Sequence, residues 1–107
     1  MDNHVSKKAL EKKIIRKLKT VFDPEIPVDI YELGIIYNIS IDNDFKVNIL
    51  MTLTTPNCPV ADSLPAEVKE KVKSIGGVKD SVIELTFDPP WSQDMMSEEA
   101  KLELGFL

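Results

Sequence analysis

Residues 35 to 53 read IIYNISIDNDFKVNILMTL, from Ile35 to Leu53. Two runs rich in β-branched residues flank the polar triplet Asp42-Asn43-Asp44, whose side chains suit a chain reversal. The stretch therefore predicts an antiparallel hairpin with strands over 35–41 and 45–53. Apolar residues alternate along it, with Ile35, Tyr37, Ile39 and Ile41 in the first run and Val47, Ile49, Met51 and Leu53 in the second. Alternation of period two assigns these side chains to the sheet face that meets a core.

Upstream of the hairpin, Leu10, Ile14, Leu18, Val21 and Phe22 recur at helical spacing, which predicts a helix from Ser6 to Val21. FDPEIP must end it, because Pro24 and Pro27 drive the residues before them out of helical torsions. Asp29 is placed to cap a single short turn that Gly34 closes. Downstream, Val60, Leu64, Val68, Val72 and Ile75 form one stripe of a second helix over 60–75, ended by Gly76-Gly77. Pro65 either kinks that helix or marks its true start. Val78 to Phe87 reads as a third strand, with Ile83, Leu85 and Phe87 facing one way, and Ser97, Glu98 and Glu99 open a short C-terminal helix that Gly105 follows.

The order α-β-β-α-β-α predicts an α+β fold, a two-layer sandwich in which helices pack on a small three-stranded mixed sheet. The 107 residues are read as a single domain over 1–107, with residues 1–5 expected to fray. A strand reached through a helical crossover runs parallel to the one before it. Three loops therefore meet at one sheet edge: DPEIP before the first strand, TTPNCP after the second and DPPW after the third. These hold six of the seven prolines, and proline stiffens a loop by fixing its torsions, so that edge reads as a preorganised site.

Composition narrows what such a site can do. With 43% hydrophobic and 29% charged residues and no long apolar run, the chain reads as globular and free of the membrane. A lone cysteine and the absence of a signal-like apolar segment point to the cytoplasm. Residues 1 to 21 carry seven Lys and Arg against Asp2 and Glu11, a local +5 in a chain of net charge −5. An acidic body of that kind argues against nucleic acid. The basic helix is read first as a solvated face and second as a partner site.

Cys58 lies between Pro56 and Pro59, at what would be a helix start, where free N–H groups favour the thiolate; Thr54 and Thr55 stand ready to donate to the sulfur. The competing reading is a buried cysteine acting as a small hydrophobe. A closed zinc site needs four ligands, and beside Cys58 the chain offers only His4 near the N-terminus. What remains is an incomplete site, one soft thiolate near the carboxylates of Asp23, Glu25 and Asp88, to be completed by another chain. On their own, Asp23 and Glu25 read as turn-forming and solvated residues. No histidine neighbours Cys58, and neither a nucleophile elbow nor a phosphate-cradling glycine loop is present, so no enzyme template fits. Trp91 is read as a cap on the core ahead of an exposed binding anchor.

The segments FDPEIPVDIYELGIIYNI (22–39), MTLTTPNCPVADSLPAEV (51–68) and GGVKDSVIELTFDPPWSQDMMSEEAKLELG (76–105) together resemble the SufT/PaaD-like family of metal-sulfur cluster biosynthetic proteins. The resemblance runs from about residue 7 to 107. It implies a non-enzymatic accessory factor that helps to deliver iron-sulfur clusters to apo-proteins, with the family's motif cysteine at Cys58 and its acidic loop at Asp23 and Glu25. Its partners would be iron-sulfur scaffold or carrier proteins and apo-enzyme clients, with a homodimer as one further possibility. No tightly bound cofactor is expected, only a transient iron ion or iron-sulfur cluster. PaaD-type members, which serve a metallo-oxygenase, carry further cysteines in a C-terminal extension; this sequence has none, which favours the SufT-like role. The alternative from a different class is a protein-interaction adaptor without metal chemistry.

Overall fold

The computed structural model describes residues 6–22, 26–54 and 63–105. Helix α1 spans Lys7–Leu18 and begins where Ser6 accepts a hydrogen bond from the Ala9 N–H through its Oγ at 3.0 Å. Leu10, Ile14 and Leu18 form its buried stripe, fully removed from solvent. The helix ends three residues before the predicted limit. The Thr20 and Val21 N–H groups donate to Lys17 and Leu18, tightening the exit into i→i+3 bonds, and the Val21 carbonyl then accepts from Ile30 at 2.9 Å. Val21 stays buried, whereas Phe22, expected on the apolar stripe, leaves the helix and is 55% exposed in a bridge with Asp29.

The predicted single turn is present as α2, Ile30–Leu33. Asp29 Oδ2 accepts from the Tyr31 and Glu32 N–H groups at 3.1 and 3.0 Å, and Gly34 closes the turn at φ 88°, a left-handed torsion that glycine adopts without penalty.

Strands β1, Ile36–Ile41, and β2, Lys46–Met51, form the antiparallel hairpin, each shorter than read from the sequence. Its turn is organised by Asp42, whose Oδ1 accepts from the Asp44 and Lys46 N–H groups at 2.9 Å each. Phe45 takes the left-handed position, at φ 62°. Pairing runs Ile41↔Val47, Ile39↔Ile49 and Asn38↔Leu50, then jumps to Ile36↔Met51. One extra residue, Tyr37, is accommodated in β1 as a bulge. The predicted alternation therefore holds for Ile39 and Ile41 but breaks at Tyr37, where Ile36 takes the core-side place opposite Met51.

Helix α3 is described over Ser63–Lys73, with Pro65 its third described residue. Residues 60–62 of the predicted helix lie outside the described residues. Leu64, Val68 and Val72 are its buried positions, with Ile75 just beyond its end. Strand β3, Asp80–Leu85, pairs parallel with β2 from Lys46↔Asp80 to Met51↔Leu85, giving the mixed order β1-β2-β3. Ser81 faces the core opposite Val47, only 1% exposed, and donates to the Lys69 carbonyl at 2.8 Å, so the crossover is fastened to its helix by a satisfied buried hydroxyl. A 3₁₀ turn at Gln93–Met95 leads into α4, Glu98–Glu103, capped by Ser97 as predicted.

One core joins α1, α2, the hairpin, α3 and α4 on one face of the sheet. The other face carries Asn38, Ser40, Asn48, Leu50, Val82 and Glu84 around a shallow groove of about 200 Å³. The arrangement is the predicted two-layer α+β sandwich. None of the described helices is long and apolar enough to cross a membrane.

Candidate functional site

Ile36, Met51 and Leu85 share one row across the three strands. The ladder extends one step further on both sides: the Thr52 N–H donates to Ile35, and the Thr86 N–H to Met51, both at 2.9 Å. The start of β1 and the ends of β2 and β3 thus lie at one edge, as the topology predicts. Thr52 and Leu53 continue β2 fully buried, and Thr54, half-buried, delivers the chain to the TTPNCP loop. Thr55, Cys58 and Pro59 lie outside the described residues, as do Asp23 and Glu25 of the acidic loop. That loop springs from the Phe22–Asp29 bridge at one end of α2, and α2 leads through Gly34 and Ile35 into β1.

The third loop is described throughout, and it is fastened from three directions. Tyr37, thrown out of register by its bulge, donates its hydroxyl to the Pro89 carbonyl at 2.7 Å and lies 3.5 Å from Met95 Sδ. Trp91 donates its indole N–H to the Leu33 carbonyl at 2.8 Å, satisfying a carbonyl in the last turn of α2, and its ring packs on the core. Gly34 lets the Met95 backbone approach so closely that a Cβ there would stand 2.7 Å from the Met95 carbonyl carbon and closer still to its oxygen. Trp91 is therefore a structural strut, as the core-cap reading has it. Tyr37, which alternation placed among core residues, is the positioning residue that sequence reasoning missed; the bulge that redirects it leaves no mark in the period-two pattern.

Asp88 is exposed, its N–H donating to Thr86 Oγ1 at 3.2 Å, and the Asp88–Pro89 peptide is cis. Leu85 and Phe87 remain 37% and 39% exposed at the same edge, an apolar lip beside the strand ends. Among the described residues no group of three His, Cys, Asp or Glu side chains could hold a metal ion.

Behind this edge, α2 is tied to the C-terminal segment by a backbone hydrogen bond and to the exit of α1 by an ion pair. The Ser97 N–H donates to the Glu32 carbonyl at 2.9 Å, and Lys19 Nζ lies 3.2 Å from the Glu32 carboxylate and 5.5 Å from the centre of the Tyr31 ring. The Ser97 hydroxyl and then Lys19 hold the Glu32 carboxyl below its ordinary range, against burial, which pulls the other way. Asp29 is displaced upward, because burial outweighs the two backbone donors that cap onto it. Two carboxyls three residues apart are thus displaced from their ordinary ranges in opposite directions.

Residues 11–85 match the family of iron-sulfur cluster assembly proteins. The chain is 58% identical over 97 residues to the Fe-S protein maturation auxiliary factor of Porphyromonas gingivalis, covering 91% of this chain and 92% of that protein. It is 41% identical over 97 residues to the Fe-S protein maturation auxiliary factor YitW of Bacillus subtilis, covering 91% and 95%. A crystal structure of a domain of unknown function from Bacillus anthracis superimposes with a TM-score of 0.87 at 35% identity, over 94% of this chain and 95% of that one.

Proposed function

From the premise that this chain belongs to the iron-sulfur cluster assembly protein family, we propose that it is a non-enzymatic maturation factor presenting Cys58 as a thiolate ligand or transfer group for a cluster in transit. The observation that carries the reading is the meeting of strand ends at the Ile36–Met51–Leu85 row, which roots the TTPNCP segment beside a DPPW loop held by Tyr37 and Trp91. A stiff frame of that kind holds a ligand loop with little entropy left to lose on binding. The cluster is cargo here. One cysteine offers one soft ligand, so the remaining coordination comes from a scaffold or carrier protein, from an apo-enzyme client, or from a second copy of the chain. Asp23, Glu25, Thr54, Thr55 and Pro59 support the loop in this reading.

The test is genetic and chemical together. Cells lacking the protein are expected to lose iron-sulfur enzyme activity, and the wild type but not Cys58→Ala is expected to restore it. Full rescue by Cys58→Ala would remove the thiol from the mechanism and favour the adaptor reading. Iron and sulfide content, with visible absorption, of oxygen-free preparations of the protein mixed with a loaded scaffold would report the transfer directly.

A further inference from the structure

An open groove of about 420 Å³ runs between the C-terminal half of α1 and the turn that follows α3. Lys13, Arg16 and Lys17 line one wall at positions i, i+3 and i+4, which places them on one helix face, and Thr20 extends the same stripe. Ser74 and Gly76 form the other wall, and open space surrounds Gly76 where a side chain would stand. Among the described residues the one ion pair is Lys19–Glu32, so no described carboxylate neutralises the three cations of the groove. Arg16 and Lys17 complement the dipole in the last turn of α1; Lys13 lies a turn earlier, where that explanation does not reach.

We propose that this groove docks an extended acidic segment of a partner protein. Lys13 and Lys17 are separated by about 6 Å along the helix axis, close to the roughly 7 Å between alternate residues of an extended peptide, so carboxylates at alternate positions meet both. The hydroxyls at the groove's edges are already committed as donors, Thr20 to the Lys17 carbonyl and Ser74 to the Lys71 carbonyl, each at 2.6 Å. Their oxygens are left to accept, which suits peptide N–H groups and offers a phosphate nothing. Both α1 and α3 end at the groove, and the negative ends of their dipoles disfavour a compact dianion. A nucleic acid carries a charge on every residue and meets the repulsion of the net −5 along its whole length, whereas a short acidic segment confines its charges to the groove. The turn at 74–76 precedes β3, whose first residue pairs with Lys46, so this wall lies at the opposite end of the strands from the Ile36–Met51–Leu85 row. A partner held here leaves the cluster-handling edge free.

The probe is a synthetic eight-residue peptide of alternating Glu and Ser, titrated into the isotopically labelled full chain. Amide shifts are expected to concentrate at residues 13–20 and 74–76. The double substitution Lys13→Glu/Lys17→Glu is expected to weaken binding roughly tenfold, and raising salt from 50 to 200 mM by several-fold. Lys8→Glu/Lys101→Glu changes the net charge equally and is expected to leave most of the affinity. Equal losses in the two double variants, shifts centred elsewhere, no saturable shift at millimolar peptide, or tighter binding of a single-stranded oligonucleotide of equal charge would each overturn the proposal. Lys8 and Lys13 are exposed and Lys17 and Lys101 half-buried, none of the four in the core, and unchanged amide dispersion elsewhere confirms that the variants fold.

Discussion

The Tyr37 hydroxyl donates to the Pro89 carbonyl at 2.7 Å across 52 residues of sequence, joining the bulge in β1 to the loop after β3. A bulge inserts one residue and turns its side chain away from the face that alternation assigns to it. Here that side chain reaches the very loop that must be held beside the end of β2. Tyr37→Phe keeps the ring and removes the bond. It is expected to cost about 1 kcal/mol in chemical denaturation. It should also speed amide exchange at residues 87–92 ahead of the core strands; uniform exchange changes would show that the bond does not position the loop.

Trp91 presents the stronger version of the same test. Its indole N–H satisfies the Leu33 carbonyl at 2.8 Å, next to the left-handed Gly34. Trp91→Phe leaves that carbonyl without its donor and removes part of the ring, so a loss of about 2–3 kcal/mol is expected from the thermal or urea midpoint. A variant as stable as the wild type would return Trp91 to the role of a surface anchor.

Much of this frame is legible in the sequence. The Asp29 cap, the left-handed Gly34, the Asp42-Asn43-Asp44 turn and the parallel crossover each follow from a local rule, and each is present. What escaped is where local rules are silent. Alternation cannot say where a bulge falls, so it assigns Tyr37 to the core and passes over Ile36. Helical spacing cannot say where a helix unwinds, so it assigns Phe22 to a stripe that the chain leaves. Ser81 gave no sign of burial, since its partner is the carbonyl of Lys69 on the crossover helix, a contact fixed only by tertiary packing. Of the candidate site residues, Thr54 and Trp91 are placed at the converging edge, while Asp23, Glu25, Thr55, Cys58 and Pro59 fall outside the described residues.

Gly34 is required for two separate reasons. At φ 88° a side chain is strained, and an added Cβ would meet the carbonyl of Met95. Backbone atoms cannot rotate aside as a flexible side chain can. Gly34→Ala is therefore expected to lose roughly 2 kcal/mol or more, beyond the ~1 kcal/mol of the torsion alone. Gly34→Asn tolerates the left-handed torsion better but still carries the Cβ, so it is expected to lose nearly as much as Gly34→Ala. A Gly34→Asn variant close to the wild type in stability would assign the effect to the torsion rather than to the collision.

Acid titration separates Asp29 from Glu32. The folded-state value of Glu32 is lowered from its ordinary 4.5, so its contribution is present above that value and is lost as pH falls through the folded one. Asp29 is raised from its ordinary 3.8, so its contribution is full below that value and declines as pH rises through the folded one. At pH 7 the Asp29 charge is thus carried against burial. Asp29→Asn keeps an acceptor for the Tyr31 and Glu32 N–H groups, and is expected to lie within about 0.5 kcal/mol of the wild type, where Asp29→Ala loses about 1 kcal/mol. Glu32→Gln, by contrast, should lower the melting midpoint at pH 7 and converge on the wild type as pH falls through the lowered folded-state value and the native carboxylate takes up its proton. Melting curves of the three variants between pH 3 and 7 decide this; a Glu32→Gln deficit that stays constant with pH would mean that the lost contact is packing rather than charge.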